Sequence, residues 1–140
     1  MLDQINIVVP DVAAAVDFYR LLGVDIADTQ PVWEHHHREV TSTGDAMHAD
    51  LDSQAFAAVW NQGWPDGVSG VVVGFRVSSR EAVDELHDRV VAAGHRSQQA
   101  PYDAFWGARY AVVEDPAGTS VGIMSAVDDD RRTAPPSPPD

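Results

Sequence analysis

Apolar Ile5, Ile7 and Val9 alternate with Gln4, Asn6 and Val8, the period of a strand that lays one face on a core. The period then changes. Val12, Ala15, Val16 and Tyr19 fall at i, i+3, i+4 and i+7, with Asp11 placed as an N-cap and Gly23 where a left-handed C-cap belongs, which predicts a helix. The same succession returns later. Val71, Val73, Phe75 and Val77 alternate, Ser78 and Glu81 stand at capping-box spacing, Val83, Leu86 and Val90 share one face, and Gly94 closes the helix. Val9 matches Val77 and Ile7 matches Phe75 at one constant offset, which Gly23 and Gly94 exceed by about one helical turn. The body of the chain is one pattern written twice.

After each helix the chain keeps β character with no further helical period. Strands are predicted over 24–26, 33–40, 47–51 and 56–60 in the first copy, and over 109–113 and 119–124 in the second, with a weaker candidate over 96–99. Thr43-Gly44-Asp45, the run Gly63 to Gly67, and Asp115-Pro116-Ala117-Gly118 supply turns. The order is strand, helix and about three strands, twice over, with no second helix inside either copy. This predicts an α+β domain over 1–125, made of two tandem βαβββ modules at about 1–66 and 67–125. From Ala126 onward Asp128-Asp129-Asp130, Arg131-Arg132 and Pro135-Pro136-Ser137-Pro138-Pro139 leave no apolar period, so 126–140 reads as a disordered tail.

Composition narrows the partners. The 140 residues are 44% hydrophobic and 22% charged, the makeup of one globular domain with a real core. Acids outnumber bases 22 to 9, for a net charge of −13; the tail holds four Asp and two Arg, so −11 remains on the body. That charge repels phosphate backbones and anionic membranes, which excludes nucleic acid and membrane surfaces as expected partners. It serves either solubility or the steering of a cationic ligand. The absence of cysteine excludes disulfides, thiolate metal sites and Cys nucleophiles. With no basic-then-apolar leader pattern after Met1-Leu2-Asp3 and no apolar run of membrane-spanning length, the expected location is the cytoplasm.

The stretch Phe105-Trp106-Gly107-Ala108-Arg109-Tyr110, followed by Asp115-Pro116-Ala117-Gly118 before the last strand, is similar to a "WG-x-R … DP-x-G" run of bleomycin-resistance-like proteins. Val9-Pro10-Asp11 leading to Asp17-Phe18-Tyr19 and Leu22-Gly23 is similar to the first strand and helix of the same group. On these motifs residues 2–125 resemble the vicinal oxygen chelate superfamily, which includes glyoxalase I, extradiol dioxygenases and the bleomycin-resistance proteins. The resemblance implies a cupped mixed sheet around a cleft between the two copies, and a homodimer. It also implies one divalent metal in the enzymes, held from four strands. Those positions fall here on Gln4, Val72, Gly122 and the strand expected over 56–60, which offer neither carboxylate nor imidazole. The metal-free, bleomycin-resistance-like branch is therefore the expected match, with no catalytic residue and no cofactor.

Candidate binding residues follow from alternation and residue type. Gln4 and Asn6 are expected on the cleft face of the first strand, with Val72, Gly74 and Arg76 opposite, and Ser120, Gly122 and Met124 on the last strand. Gly122 is expected to leave room for a large flat ligand. Trp33, Trp60, Trp64, Tyr102, Phe105 and Trp106 lie in segments that would edge the cleft, where an aromatic body with a polar tip is favoured, although core packing explains such residues equally well. Trp33 and Trp106 sit furthest from the helix-facing stripes. The alternation of Phe56, Ala58 and Trp60 does not say which of them face the cleft. Arg109 and His37 are expected to add hydrogen bonds.

His35 and His37 on one strand would point the same way and chelate Zn or Ni with Glu39 or His48; a solvated strand edge is the simpler reading, because a closed site needs more convergent ligands. Ser42, Ser53, Ser69 and Ser120 lack a His partner in the pattern, so no nucleophile is assigned. The expected function is capture of a cationic or aromatic antibiotic-like small molecule without turnover. The alternatives are a metal-dependent lyase, isomerase or dioxygenase built on His35, His37 and His48, and an accessory module with a vestigial cleft.

Overall fold

The computed structural model describes residues 1–41 and 47–140; the turn expected at Thr43-Gly44-Asp45, and Ser42, lie outside them. The elements are β1 Leu2–Val9, α1 Val12–Leu21, β2 His37–Val40, β3 His48–Ser53, α2 Gln54–Trp60, β4 Gly70–Arg76, α3 Arg80–Ala92, β5 Ser97–Asp103, β6 Arg109–Glu114 and β7 Ser120–Met124, with a 3-10 turn at Asp129–Arg131. They build one mixed seven-stranded sheet in the order β2-β3-β1-β4-β7-β6-β5. The duplication is visible in it. β1 pairs in parallel with β3, β4 pairs in parallel with β7, and the two halves meet at the antiparallel β1–β4 seam.

The alternation read in β1 is observed. Ile7 and Val9 pack with Val12, Val16, Ile26 and Leu51 on the α1 side. On the α3 side, Val83 packs with Ala111, Val113 and Ile123. Asp11 Oδ1 accepts the Ala14 N–H at 3.0 Å and caps α1. The cap of α3 is Ser79 and not Ser78, because Arg80 is the first helical residue and Ser79 Oγ accepts from Ala82 N–H. Gly118 takes a φ of +86 in the turn before β7, and Asp115 Oδ1 accepts from the N–H groups of Ala117 and Thr119 at 2.8 and 2.9 Å. α1 lies on β2 and β3 and α3 on β5 to β7. The outer face of β4 is left without a helix there, and Val71 and Phe75 are exposed.

Two expected strands are not strands. Residues 56–60 form most of α2, a second helix inside the first copy: Ser53 Oγ accepts the Phe56 N–H at 3.0 Å. Phe56, Ala57 and Trp60 are then buried together at i, i+1 and i+4, a helical face that a period-two reading scrambles. Only His37–Val40 of the expected strand 33–40 is extended. Before it the chain turns, with Trp33 O accepting from the N–H groups of His36 and His37 at 2.9 and 3.0 Å. The strand expected over 24–26 is reduced to a bridge between Ile26 and Val40.

The inner face of the sheet carries the largest apolar cluster, in which Val8 and Val72 pack under Phe56, Ala57, Trp60 and Trp64. The stretch 126–140, expected as a free tail, runs back along the body. Asp128 N–H donates to Gly107 O and Thr133 N–H to Phe105 O, each at 3.0 Å.

Candidate functional site

α2 closes one end of the inner face and leaves a cavity of about 680 Å³ at the other, within the range of small-molecule sites. Trp33, Phe56, Trp60, Phe105, Trp106 and Tyr110 line it, and Trp60 meets Tyr110 at 6.2 Å, so these rings belong to one continuous aromatic lining. The rings meet edge to face: Trp33 and Phe56 centroids are 5.1 Å apart and those of Trp106 and Tyr110 5.4 Å, a geometry that stiffens the lining. Gln4, Asn6, His37, Asp50, Asp52 and Met124 make the floor. Val127, Arg132 and Pro135 of the C-terminal stretch reach its rim.

The floor is a polar network set by strand parity. On β3, Leu51 points into the α1 core, so Asp50 and Asp52 turn to the cavity. Asp52 is 1% exposed; its Oδ1 lies 2.6 Å from His37 Nδ1, and its Oδ2 accepts from Asn6 Nδ2 at 2.8 Å. Gln4 Nε2 spans Asn6 Oδ1 at 3.2 Å and Asp50 Oδ2 at 3.4 Å. Burial alone would lower the His37 pKa, but the hydrogen bond and charge of Asp52, with Asp50 and Glu39 behind it, outweigh burial and raise it to about 9. Loss of hydration pushes Asp50 up to about 7, reinforced by Asp52 and Glu39 and opposed by His37 and Gln4. Among the described residues Asp50 has no ion pair, and its hydrogen-bond partner is Gln4.

Nine of the residues expected on the cleft from sequence meet here: Gln4, Asn6, Trp33, His37, Trp60, Arg76, Phe105, Trp106 and Met124. His35 does not, since it sits in the turn before β2 with its side chain 66% exposed, 3.2 Å from Glu34 Oε1. Tyr102 is behind the lining; its hydroxyl donates to Trp60 O at 2.9 Å, and burial raises its pKa. Arg109 faces away and grips Asp84 on α3 through two bonds of 2.9 and 3.1 Å. It also reaches Asp103, to which Arg80 binds as well. Gly122 leaves no ligand space, because a Cβ there would meet Tyr110 Oη at 2.9 Å; the tyrosine ring occupies the expected room. Ser120, expected beside it, borders a separate cavity of about 320 Å³.

Sequence reasoning missed Asp50, Asp52, Phe56 and Tyr110. The signal for the first two was present in His48-Ala49-Asp50-Leu51-Asp52, where apolar Leu51 assigns its neighbours to the other face. Ser53 does have an imidazole beside it, His36 Nδ1 at 2.9 Å, yet its Oγ is engaged in capping α2.

The model of the Glyoxalase/Bleomycin resistance protein/Dioxygenase superfamily matches residues 1–123. The chain belongs to this superfamily. No curated protein matches it. Among solved structures, a Legionella pneumophila protein named NAD-dependent benzaldehyde dehydrogenase is 20% identical, with 87% of this chain and 96% of that one covered and a TM-score of 0.62. A superfamily member from Vibrio splendidus 12B01 is 16% identical over 90% and 100%, with a TM-score of 0.60. Methylmalonyl-CoA epimerase from Mycobacterium tuberculosis is 18% identical over 91% and 88%, at 0.58. At these identities the shared property is the fold, the vicinal oxygen chelate fold.

The metal of the superfamily's enzymes does not fit these residues. Across the four central strands, the positions level with Gln4 are His48, Gly74 and Gly122: one imidazole, one amide and two glycines. Among the described residues no three His, Asp or Glu are grouped to hold an ion. All the acids and imidazoles on the floor come from the first copy, so no donor faces them from the second. Among the described residues no helix is long and apolar enough to cross a membrane.

Proposed function

We propose that the chain binds and sequesters a small planar aromatic molecule that carries a cationic group, as in the bleomycin-resistance branch of the superfamily, without a metal or cofactor. The observation that carries this reading is Asp50, a carboxylate without an ion pair among the described residues, on the floor of a cavity lined by aromatic rings. The ligand's rings stack on that aromatic lining, and the cation meets Asp50, with Glu39 at the rim. Each aromatic contact adds about 0.5–1.5 kcal/mol beyond area burial, and a cation over a ring adds about as much again. Micromolar affinity requires about −8 kcal/mol, so apolar area buried between ligand and lining has to supply the remainder. The body's negative charge draws such a ligand in.

The working form is a cytoplasmic homodimer in this reading, supported by exposed Val71 and Phe75 on the outer face of β4. Size-exclusion chromatography with light scattering tests it; a monomer at micromolar concentration refutes the dimer.

Calorimetric titration with proflavine, a planar aromatic cation, against anthracene-carboxylate of similar size tests the binding function. Saturable binding of proflavine at one site, weakened about tenfold or more in Asp50→Asn, is expected. Equal or tighter binding of the carboxylate overturns the reading.

A further inference from the structure

We propose that the second cavity, about 320 Å³ in volume, is a separate binding site for a small primary alkylammonium, whose charge meets the Glu114 carboxylate while its chain lies against Trp64. Among the described residues none lines both cavities. The site is therefore independent of the function given to the larger one. Its volume is at the small end of ligand sites, which suits an amine of a few carbons and not a planar aromatic cation.

The polar side of this cavity comes from the second copy and is fixed by a chain of hydrogen bonds. Gln98 Oε1 accepts from Asn61 Nδ2 at 2.7 Å and from Ser120 Oγ at 2.9 Å, so the amide can be oriented in one way only. Gln98 Nε2 then donates to Glu114 Oε1 at 2.8 Å. Asn61 is fully buried, which makes this chain costly to break. An acceptor for Gln98 needs no charge, since a glutamine in place of Glu114 would serve as well. Yet Glu114 is a carboxylate, without an ion pair among the described residues, in a lining that is otherwise uncharged. Its Oε1 is engaged by Gln98, and Oε2 is the oxygen for a ligand.

The apolar side is pinned to the same chain. Trp64 N–H donates to Asn61 O at 3.0 Å, and the indole Nε1 donates to Val68 O at 2.9 Å, so the ring's polar edge is satisfied within its own turn and what remains is an apolar surface. Gly63 lets this turn press on β5: a Cβ there would collide with Gln98 O, and Asn61 Oδ1 accepts the Gly63 N–H at 3.1 Å. Asn61 thus places Trp64 through its carbonyl and orients Gln98, and with it Glu114, through its carboxamide. An ammonium offers three donors, for Glu114 Oε2 and for the Thr119 hydroxyl on the same lining. A carboxylate would meet Glu114 as a like charge, and an alcohol would gain a hydrogen bond without charge assistance. The short chain of the amine then covers Trp64 and Pro65, while the negative charge of the body concentrates cations around it.

The test follows backbone amide signals of the full, isotope-labelled chain by NMR during titration with n-butylammonium, n-butanol and butyrate. Saturable shifts centred on residues 63–70 and 114–120 are expected with n-butylammonium, with binding about tenfold weaker for n-butanol and absent for butyrate. Glu114→Gln keeps an acceptor for Gln98, so its thermal midpoint should stay within a few degrees while n-butylammonium binds about tenfold more weakly. Shifts confined to residues 37–40 and 48–52 would put the amine in the larger cavity and overturn the proposal. Equal binding of butyrate, or undiminished binding in folded Glu114→Gln, overturns it as well. Nα-acetyl-lysine methylamide carries the same ammonium as a protein side chain does; if it binds more tightly than n-butylammonium, the assignment to a free amine falls.

Discussion

His37 on β2 and Asp52 on β3 are cross-strand partners, and their side chains meet at 2.6 Å over the cavity floor. Antiparallel pairing places the two residues opposite each other, so the contact follows from register and needs no adjustment of either strand. Asp52 also holds Asn6 across the parallel β1–β3 pair, which ties three strands together through one buried carboxylate.

Asp52→Ala is expected to destabilise the fold by about 3–5 kcal/mol, the cost of leaving a buried partner uncompensated. Urea unfolding measures it. Asp52→Asn retains a hydrogen bond to His37 and should cost less, while the His37 pKa falls towards 6.5, its ordinary value, in an NMR titration.

Stability should decline from about pH 5 to pH 9. Asp50 is raised from 3.8 to about 7, so the native state keeps a proton that the unfolded chain releases, and stability falls as pH rises towards 7. His37 is raised from 6.5 to about 9; its contribution is full below 6.5 and is lost as pH rises through 9. Both act in the same direction, on the order of a few kcal/mol together. Urea midpoints across this range check the trend, and Asp50→Asn should flatten the portion below pH 7.

The same protonation governs capture of a cation. Below pH 7 the bound cation must displace a proton from Asp50, so proflavine affinity should weaken by up to about tenfold per pH unit on acidification. Calorimetry at pH 7 in buffers of different ionisation enthalpy should detect proton release.

Trp60 and Trp33 both line the cavity but differ in role. Trp60 is 4% exposed within the inner cluster, and Trp60→Ala is expected to cost about 3–5 kcal/mol. Half-buried Trp33 packs against Phe56 from the turn before β2. Trp33→Ala should leave the thermal midpoint within a few degrees and weaken proflavine about tenfold.

Gly107 decides whether the C-terminal stretch stays on the body. Its φ is +92, and a Cβ would meet Asp128 O at 2.4 Å, so Gly107→Ala forces either strain or release of the stretch. Limited proteolysis should cut within 126–140 sooner in the variant, and ligand association through the opened rim should quicken.

The strands that alternate against a helix were legible in the sequence. Ile7 and Val9 in β1, or Val121 and Ile123 in β7, show a period of two because one face meets a helix and the other does not. The duplication, the caps at Asp11 and Gly23, and the turn at Asp115 followed for the same reason: local chemistry dictates them within a few residues. α2 was not legible, since seven residues carry too little periodicity to separate helix from strand, and the decision came from the Ser53 cap and the apolar face it turns to Val8 and Val72. The cavity lining was legible as residue types on predicted faces, which named Gln4, Asn6, His37 and several aromatics. Register and packing decided the remainder. Tyr110 fills the space above Gly122, Arg109 turns to Asp84, and Asp52 reaches His37 only because β2 and β3 pair as they do. Contacts between residues distant in the chain depend on how whole elements are aligned, and no local pattern encodes that alignment.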